Sequence, residues 1–493
     1  MKKNEGQKVS EHFLYPLFFP RNIVVVGASP NPNMGVSLYL NTYKNYGYGI
    51  ERKPEIYPVN PKYEGKKIFG LWKCYKDLKS IPEPIDYVIS CINAKYVSDL
   101  LRECIEVDAR FLIIYTSGFS EVGKRGMSYT NEIKEILEES NYESTRVVGP
   151  NCFGAINSQI DLNFNQFAEI HPGSFSLFSQ SGGFANRTVE ISKKRGLGLN
   201  FGISVGNMID LDMNDFLDFF SLDLKTNVIG LYLETVKNKS VGRKFYKKLK
   251  SISEIKPIVV LKGGKTKIGA RSAVSHTGAI AGQARIYEAV FKNNAISVNS
   301  SIEFYDIAYL LTLLFPDKLL KSRKTCLIVP GGGNTVEMSD ILSNISLEFI
   351  ELSEKTQRKL SNLLYDVNTG FENPIDVGAY GILPEMLLNT TKIIIKEEQE
   401  IDNIIIVIQL TRILGLALGY DKFAGTFARS LGRISRKTKK NLFLIPMLDQ
   451  YNPKTIAENK KLKSILNKYR IPNFPTIDRL AKSLEYYLNF YKL

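Results

Sequence analysis

Short runs of β-branched and aliphatic residues alternate with longer amphipathic stretches along the whole chain. This alternation is typical of α/β layers built on parallel sheets. The first series predicts strands at 23–27, 55–59, 87–92, 111–115 and 146–148. Helical stretches lie between these strands, for example at 97–105 and 131–139, and a further helix is expected after Gly35. We predict that this part of the chain forms one Rossmann-like unit of about 150 residues.

Two further series follow the first. The second predicts strands at 175–178, 199–204, 228–233 and 257–262, and the third begins at Cys326 and continues at 403–409 and 441–447. Segments rich in turn formers or charge near 151–173 and 316–324 are predicted linkers. We therefore expect an α/β protein of three consecutive domains, at 1–150, 151–320 and 321–493.

Composition narrows the class of protein. With 44% hydrophobic and 23% charged residues, the chain has ordinary globular composition. Its 65 Lys and Arg against 50 Asp and Glu give a formal net charge of +15, but the basic residues are scattered and no nucleic-acid-binding signature accompanies them. We expect no nucleic-acid partner and explain the charge by small anionic ligands. Nucleic-acid binding remains the alternative that heparin retention would test.

Cysteine usage and hydropathy predict the compartment. The five cysteines include no CxxC pair, and the three histidines are too few for a three-His metal centre. We therefore expect free thiols, a reducing compartment and no metal site, as in a cytoplasmic protein. No run of about 18 apolar residues and no apolar signal region is present, so we expect no membrane partner.

The loop Gly27–Gly35 follows a predicted strand and opens a predicted helix, where backbone N–H groups and the helix dipole attract phosphate. It lacks the GxGxxG pattern of dinucleotide-binding folds. After the second strand stands Tyr57–Lys62, a turn with a cation rather than an acidic residue for a ribose. A nucleotide with extra phosphates fits this loop better than NAD does. A purely structural βα turn is the alternative.

A second loop, Ser179–Gly183, places two hydroxyls and two glycines at a predicted helix N-terminus and is a candidate anion site. The turn Gly149–Gly154 has the same character. Cys152 within it has no neighbouring histidine in the sequence, so a buried or helix-capping thiol is favoured over a nucleophile.

His276 is the histidine with the best setting for chemistry. It lies among small residues in Ser275–Gly282, where a large partner can reach the imidazole. Glu234 ends a predicted strand, at the edge where such sheets bind ligands. Its carboxylate would hold one ring nitrogen of His276 and leave the other free to attack phosphorus. A lone structural histidine is the alternative. His12 and His171 lie in an N-terminal arm and a linker, and we expect no catalytic role for them.

The third domain offers two weaker signals. Gly331–Asn334 follows a predicted strand, and Asn373–Asp376 lies in a loop. A glycine turn before a helix is as often architecture as binding.

Several motifs recur in a fixed order along the chain. The motifs are Val25–Ser29, Tyr57–Tyr63, Ala94–Val97, Ser117–Glu121, Gly149–Cys152, Ser179–Gly182, Tyr232–Glu234, Leu261–Gly264, Ser275–Gly278 and Asn373–Asp376. Through them, from about Phe19 to Tyr487, the chain resembles the α subunit of ADP-forming (NDP-forming) acyl-CoA synthetases of the acetate–CoA ligase type, which are relatives of succinyl-CoA synthetase.

The resemblance implies a Rossmann-like CoA-binding domain followed by two flavodoxin-like succinyl-CoA-synthetase domains. It makes His276 the phosphorylated residue and Glu234 the residue that steadies it. Phosphate would be held at Ser181, Gly182 and Gly183, together with Asn151. The implied CoA contacts are Gly27, Ser29, Asn60, Lys62, Asn93 and Lys95, with Ser117 and Gly118 near the thiol.

The same resemblance implies a reaction and a partner. Phosphate would attack an acyl-CoA, His276 would accept the phosphoryl group from the acyl phosphate, and ADP would become ATP. Three α/β domains leave no room for the ATP-grasp module that binds ADP/ATP with Mg²⁺, and no Walker motif is present. We therefore expect a separate ATP-grasp β subunit in an α2β2 heterotetramer, acting on a small carboxylic acid. The alternative is a non-catalytic CoA-binding or regulatory protein of the same fold.

Overall fold

The computed structural model describes residues 8–31, 54–164, 169–266, 268–269, 284–364, 367–415, 423–448 and 451–493. The chain divides into two compact units, Met1–Phe304 and Tyr305–Leu493. The first unit contains two large sheets and the second contains one. The sheets cover 22–148, 154–298 and 324–446, whereas the predicted boundaries between three domains stay a prediction.

The first sheet is parallel throughout, with the order β2-β1-β5-β6-β7. Its strands are largely buried, which explains the continuous apolar runs in the sequence. A small hairpin, β3–β4, lies beside it. The seven strands are β1 (Asn22–Val26), β2 (Glu55–Val59), β3 (Lys67–Ile68), β4 (Trp72–Lys73), β5 (Tyr87–Ser90), β6 (Phe111–Ile114) and β7 (Arg146–Val148).

The strand order reverses at β1, which has β2 on one side and β5 on the other. In open α/β sheets, ligands bind at such a switch point, beyond the carboxyl ends of the strands. The helix expected after Gly35 lies outside the described residues.

The second sheet has the order β13-β12-β11-β9-β10-β8, and β8 pairs antiparallel with β10. The linker expected at 151–173 is therefore wrong in part, because it contains the edge strand β8. This strand is short, and its glycine and asparagine are turn formers in sequence. The strands are β8 (Gly154–Asn157), β9 (Pro172–Ser179), β10 (Leu199–Ser204), β11 (Val228–Leu233), β12 (Ile258–Lys262) and β13 (Ile296–Val298).

Helices accompany these strands in the first unit. Those before the unit boundary are α1 (Tyr15–Phe18), α2 (Val97–Glu106), α3 (Lys124–Glu139), α4 (Gly182–Arg195), α5 (Met213–Leu222), α6 (Lys239–Ser253) and α7 (Ala284–Phe291). The boundary itself falls within α8 (Ser301–Leu314).

The second unit is built on a parallel sheet of order β15-β14-β17-β18, with β16 also paired to β14. Its strands are β14 (Lys324–Val329), β15 (Glu348–Phe349), β16 (Ile375–Asp376), β17 (Asn403–Ile408) and β18 (Asn441–Pro446). Its helices are α9 (Gly332–Ser343), α10 (Glu354–Leu363), α11 (Pro384–Glu397), α12 (Leu410–Gly415), α13 (Phe423–Arg436), α14 (Pro453–Lys468) and α15 (Ile477–Tyr491).

Within the ranges that the structure covers, no helix combines the length and the apolar character needed to cross a lipid bilayer.

Candidate functional site

A cavity of about 620 Å³ lies in the first unit where chain segments leave the two sheets. It brings together six of the residues singled out in the sequence, namely Asn93, Ser117, Asn151, Ser181, Gly182 and Gly183. The lining is completed by Cys91, Ile92, Tyr115, Thr116, Cys152, Phe153 and Gln180. Segments that follow β5, β6, β7 and β9 therefore meet in one place, although up to 90 residues separate them in sequence.

The N-terminus of α4 forms one wall of the cavity. Ser181 is its N-cap, and the Ser181 Oγ accepts the N–H of Phe184 at 3.2 Å. The N–H groups of Gly182 and Gly183 have no acceptor in the part of the chain that the structure describes. These first-turn donors and the positive end of the helix dipole suit an anion.

Gly182 is required by close packing. A Cβ atom at this position would lie 2.5 Å from the Phe153 Cδ2, because the phenyl ring of Phe153 rests on the backbone there. Gly183 has no such neighbour: its nearest atom would be the Ser181 Oγ at 3.8 Å. The ring of Phe153 therefore leaves no room for a side chain at the first residue of α4.

The turn between β7 and β8 forms another part of the cavity lining. Asn151 has φ +58°, and its N–H donates to the Thr116 carbonyl at 3.1 Å. The Cys152 Sγ lies 3.5 Å from the carbonyl oxygens of Ile114 and Val148. Burial raises the pKa of Cys152 to about 12. Cys152 is a buried free cysteine, as expected, and the raised pKa disfavours the thiolate that a nucleophile requires.

Ser117 and Gly118, the two residues expected near the CoA thiol, differ in position. Ser117 lines the cavity, whereas Gly118 does not. The Gly118 N–H donates to the Glu121 Oε1 at 2.6 Å, and the other carboxylate oxygen accepts from the Asn207 Nδ2 at 2.7 Å. The backbone donor of Gly118 is therefore already used inside the protein.

Three more expected CoA contacts lie at the carboxyl ends of β1 and β2, outside the cavity lining. Gly27 has φ +90°, and a Cβ there would lie 3.0 Å from the Ile92 Cγ2. The Asn60 Nδ2 donates to the Ala28 carbonyl at 2.8 Å, which joins the two strand ends. The side chain of Ser29 is buried, and its Oγ accepts the Asn31 N–H.

Two exposed lysines stand at the same edge of the first sheet. Lys62 and Lys95 each follow an asparagine whose Oδ1 accepts the lysine N–H, Asn60 in one turn and Asn93 in the other. Each ammonium lies over a tyrosine ring, 5.6 Å from the centroid of Tyr63 in the first case. For Lys95 the distance to the ring of Tyr96 is 4.5 Å. Both cations are therefore exposed at the switch-point edge, where a phosphate-rich ligand can reach them.

Glu234 directly follows β11 and is 8% exposed. The hydroxyl of Tyr232 is hydrogen-bonded to its side chain, and burial followed by the charge of Glu234 raises the pKa of Tyr232 to about 12. His276, the expected partner of Glu234, lies outside the described residues.

Two polar residues beside Glu234 belong to motifs quoted from the sequence but were not predicted there as site residues. Gln180 is 4% exposed and its side-chain oxygen accepts from the backbone at Glu234 and Thr235. Lys262, also 4% exposed, donates from Nζ to the Glu234 carbonyl at 2.8 Å. Each is a long polar side chain at the end of an apolar strand, and that signal is available in the sequence.

The glycine turn of the second unit, Gly331–Asn334, differs from the turn at α4 because a side chain of the protein already binds one of its backbone N–H groups. Asp376 accepts from the N–H of Gly331 at 2.7 Å and from the N–H of Gly378 at 2.8 Å. A carboxylate of the protein itself thus occupies the start of α9, where an anion would otherwise bind. Among the described residues, no group of three or more His, Cys, Asp or Glu side chains is arranged to hold a metal ion.

Two family models match the first unit, and the second of them continues through most of α8. A CoA binding domain matches residues 21–158, and a succinyl-CoA ligase like flavodoxin domain matches residues 172–311. The matched segments correspond to the two sheets that contribute to the cavity.

The chain is similar to two named ligases. It is 34% identical over 364 residues to the acetate–CoA ligase [ADP-forming] I of Archaeoglobus fulgidus, covering 73% of this chain and 50% of that protein. It is 34% identical over 361 residues to the acetate–CoA ligase [ADP-forming] II subunit alpha of Pyrococcus furiosus, covering 73% of this chain and 75% of that subunit. The chain thus spans about half of the first relative and three quarters of the second.

Solved structures are also similar over nearly the full length. One of them is the dinucleotide forming acetyl-coenzyme A synthetase 1 of Ca. Korarchaeum cryptofilum in complex with phosphate and ADP. The TM-score is 0.81 at 26% sequence identity, and the match covers 97% of each chain.

Proposed function

Since the chain belongs to the family of ADP-forming acetate–CoA ligases, we propose that it is the α subunit of an ADP-forming acyl-CoA synthetase. It interconverts acyl-CoA, ADP and phosphate with a carboxylic acid, CoA and ATP. One observation carries the proposal: a single cavity joins the ligand edge of the CoA-binding sheet to the N-terminus of α4.

Coenzyme A binds across the carboxyl edge of the first sheet in this proposal. Its phosphates meet the exposed ammonium groups of Lys62 and Lys95, and its backbone passes the glycine turn at Gly27. The thiol end enters the cavity near Asn93 and Ser117. This direction places the thioester carbon beside the start of α4.

Inorganic phosphate binds at Ser181, Gly182 and Gly183, facing Asn151 across the cavity. One phosphate oxygen attacks the thioester carbon, the carbon–sulfur bond breaks, and CoA leaves as its thiolate to give an acyl phosphate. The unpaired N–H groups of α4 stabilise the negative charge that develops on the phosphoryl oxygens.

His276 then accepts the phosphoryl group. A ring nitrogen attacks phosphorus, the bond to the acyl oxygen breaks, and the carboxylate leaves. Glu234 holds the other ring nitrogen and so selects the tautomer that attacks. Support comes from Glu234 itself, which is buried at a strand end close to Gln180, a residue of the cavity wall.

Phosphohistidine passes its phosphoryl group to ADP on a separate ATP-grasp β subunit, which also supplies Mg²⁺. We propose an α2β2 heterotetramer in the cytoplasm that uses a small carboxylic acid. The existence of a relative named as subunit alpha supports a partner of this kind. The non-catalytic CoA-binding alternative requires neither Glu234 nor His276.

The test is phosphoryl transfer to the purified chain. Radiolabelled phosphate is incubated with a panel of acyl-CoAs, with and without a co-purified ATP-grasp partner. The expected result is a label that is acid-labile and base-stable, absent in His276→Ala and present in the matched control His171→Ala. CoA binding without any label in the presence of the partner would support the regulatory alternative instead.

A further inference from the structure

Gln180 connects the phosphate turn to Glu234. It lies between β9 and α4, and its own N–H donates to the Tyr232 carbonyl at 3.2 Å. Its side-chain Oε1 accepts the backbone N–H groups of Glu234 and Thr235 at 2.5 and 3.0 Å. The residue therefore joins the end of β9 to the end of β11 through three hydrogen bonds.

These contacts determine which way the carboxamide of Gln180 points. Both groups facing one end of the amide are N–H donors, so that end must be the oxygen. The other end is then the Nε2 amine, which carries two donors. It has no acceptor in the ranges covered by the structure, and Gln180 is 96% buried and lines the cavity.

Gln180 lines the same cavity as the two glycines whose N–H groups are unpaired at the start of α4. Gly182 and Gly183 line the same cavity from the next turn of the chain. Backbone donors and an amide amine that converge on one space form a set that recognises oxyanions. A neutral donor also suits this position. It attracts an anion but, unlike a cation, does not form an ion pair with the Glu234 carboxylate.

Lys262 holds Glu234 from the other side. Its ammonium donates to the carbonyls of Glu234 and Gly263 and lies 4.7 Å from the ring centroid of Tyr287. The main chain of Glu234 is thus fixed at its N–H by Gln180 and at its carbonyl by Lys262.

We propose that Gln180 has two roles in this site. Its Oε1 positions the backbone of Glu234, and its Nε2 donates to a phosphoryl oxygen of inorganic phosphate or an acyl phosphate in the cavity. The proposal rests on the proposed function for the identity of the phosphoryl ligand. In this proposal the Gln180 side chain binds the Glu234 backbone at one end and phosphate at the other.

The decisive variant is Gln180→Glu. One carboxylate oxygen still accepts from Glu234 and Thr235, while the other presents negative charge to the cavity in place of the amine. We expect the dissociation constant for inorganic phosphate to rise about tenfold or more, as for loss of a hydrogen bond to a charged group, with CoA affinity unchanged. Gln399→Glu, an exposed glutamine, is the matched control and should change neither constant.

Equilibrium dialysis with labelled phosphate and, separately, with CoA gives both constants. Unchanged phosphate affinity in Gln180→Glu would overturn the proposal. If that variant does not fold, Gln180→Met provides the same readout, because it lacks both donor and acceptor. Turnover with an unchanged KM for phosphate in the variant refutes the role of Gln180 but not the enzyme. If phosphate binding depends on Gln180 but no turnover is found, the proposed enzymatic function is refuted and the role of Gln180 in phosphate binding is not.

Discussion

Lys262 shows what a single residue contributes at the ligand edge of the second sheet. Its ammonium is buried at the end of β12, where it is held by backbone carbonyls and a tyrosine ring. Desolvation lowers the pKa of Lys262 to about 8, although the nearby charge of Glu234 acts in the opposite direction. Burial of this charge costs solvation free energy, and the hydrogen bonds to the backbone carbonyls offset part of that cost.

The depressed pKa of Lys262 predicts a pH-dependent stability difference between wild type and Lys262→Met. Below pH 8, Lys262 is protonated in both the folded and unfolded states, and the folded state bears the full desolvation penalty. Between pH 8 and 10.5 the unfolded state binds more protons, so the free energy of unfolding of the wild type rises relative to the variant. Denaturant titrations from pH 7.5 to 10 measure this difference.

Lys247→Met is the control for this experiment, since Lys247 is an exposed lysine of α6. Its stability difference from wild type should stay constant over the same pH range. A constant difference for Lys262→Met as well would show that the buried ammonium is not the source of the pH dependence.

Helix α4 carries the site at the scale of an element. Its Ser181 N-cap and its last-turn cations, Lys193, Lys194 and Arg195, agree with the helix dipole. Gly196 ends the helix in the left-handed region and donates to the Ser192 carbonyl. The helix is thus stable through its own ends, which leaves the donors of its first turn available to the cavity.

The two glycines that begin α4 should respond differently to a methyl group. Gly182→Ala places Cβ against the ring of Phe153 and should lower the free energy of unfolding by about 1–3 kcal/mol. Gly183→Ala meets ordinary contacts and should raise it by about 0.5 kcal/mol, because alanine loses less backbone entropy in a helix. Thermal and urea unfolding of both variants provides the comparison. Equal effects would mean that Phe153 moves aside.

The glycine turn at the start of α9 leads to a prediction about the side chain that binds it. Asp376→Ala leaves the N–H groups of Gly331 and Gly378 without their acceptor and should destabilise the second unit by about 1–3 kcal/mol. Asp376→Asn retains an accepting oxygen and should cost less. Asp340→Ala, an exposed position in α9, is the control and should stay within about 0.5 kcal/mol of wild type. Unfolding midpoints followed by circular dichroism distinguish these outcomes.

Sequence patterns predicted most of the strands, because these are buried and therefore form uninterrupted apolar runs. The short strands β3, β4, β8, β13, β15 and β16 were not predicted. Leu199–Ser204 and Val228–Leu233 begin and end where they were expected. The edge strand β8 was missed, since a four-residue strand that begins with glycine and ends with asparagine has no periodicity to detect.

The site was only partly predictable for a related reason. Ser181 and Gly182 stand in a local motif, so their place at a helix start follows from neighbouring residues. Gln180 acts on Glu234 across 54 positions of sequence, and that contact depends on β9 pairing with β11. No local pattern reports such a pairing.

The first unit as a whole joins two sheets through a short crossing of the chain. β7 ends at Val148 in the first sheet, and β8 begins at Gly154 in the second. The Ala155 N–H donates to the hydroxyl of Tyr87, which belongs to β5 of the first sheet. The cavity is formed where the chain passes between the sheets, so a ligand there contacts both.

Ligand binding should therefore stabilise the chain in a concentration-dependent way. CoA at 100 times its dissociation constant should add about 2.7 kcal/mol to the free energy of unfolding.

The double variant Lys62→Ala/Lys95→Ala should lose about tenfold in CoA affinity, and added salt should narrow the difference in affinity from wild type because both cations are exposed. Thermal shift titrations with CoA give the affinities. Lys460→Ala, an exposed lysine of the second unit, is the control.

Two of the cavity-lining residues, Cys91 and Cys152, bear on oxidation chemistry. Burial raises the pKa of both thiols, which disfavours the thiolate that a nucleophile requires. Thiol–disulfide exchange begins with attack by a thiolate, and we therefore expect a small-molecule disulfide that entered the cavity to react slowly with both sulfur atoms. If CoA binds as proposed, its free thiol would lie beside two cysteines whose raised pKa values disfavour mixed-disulfide formation.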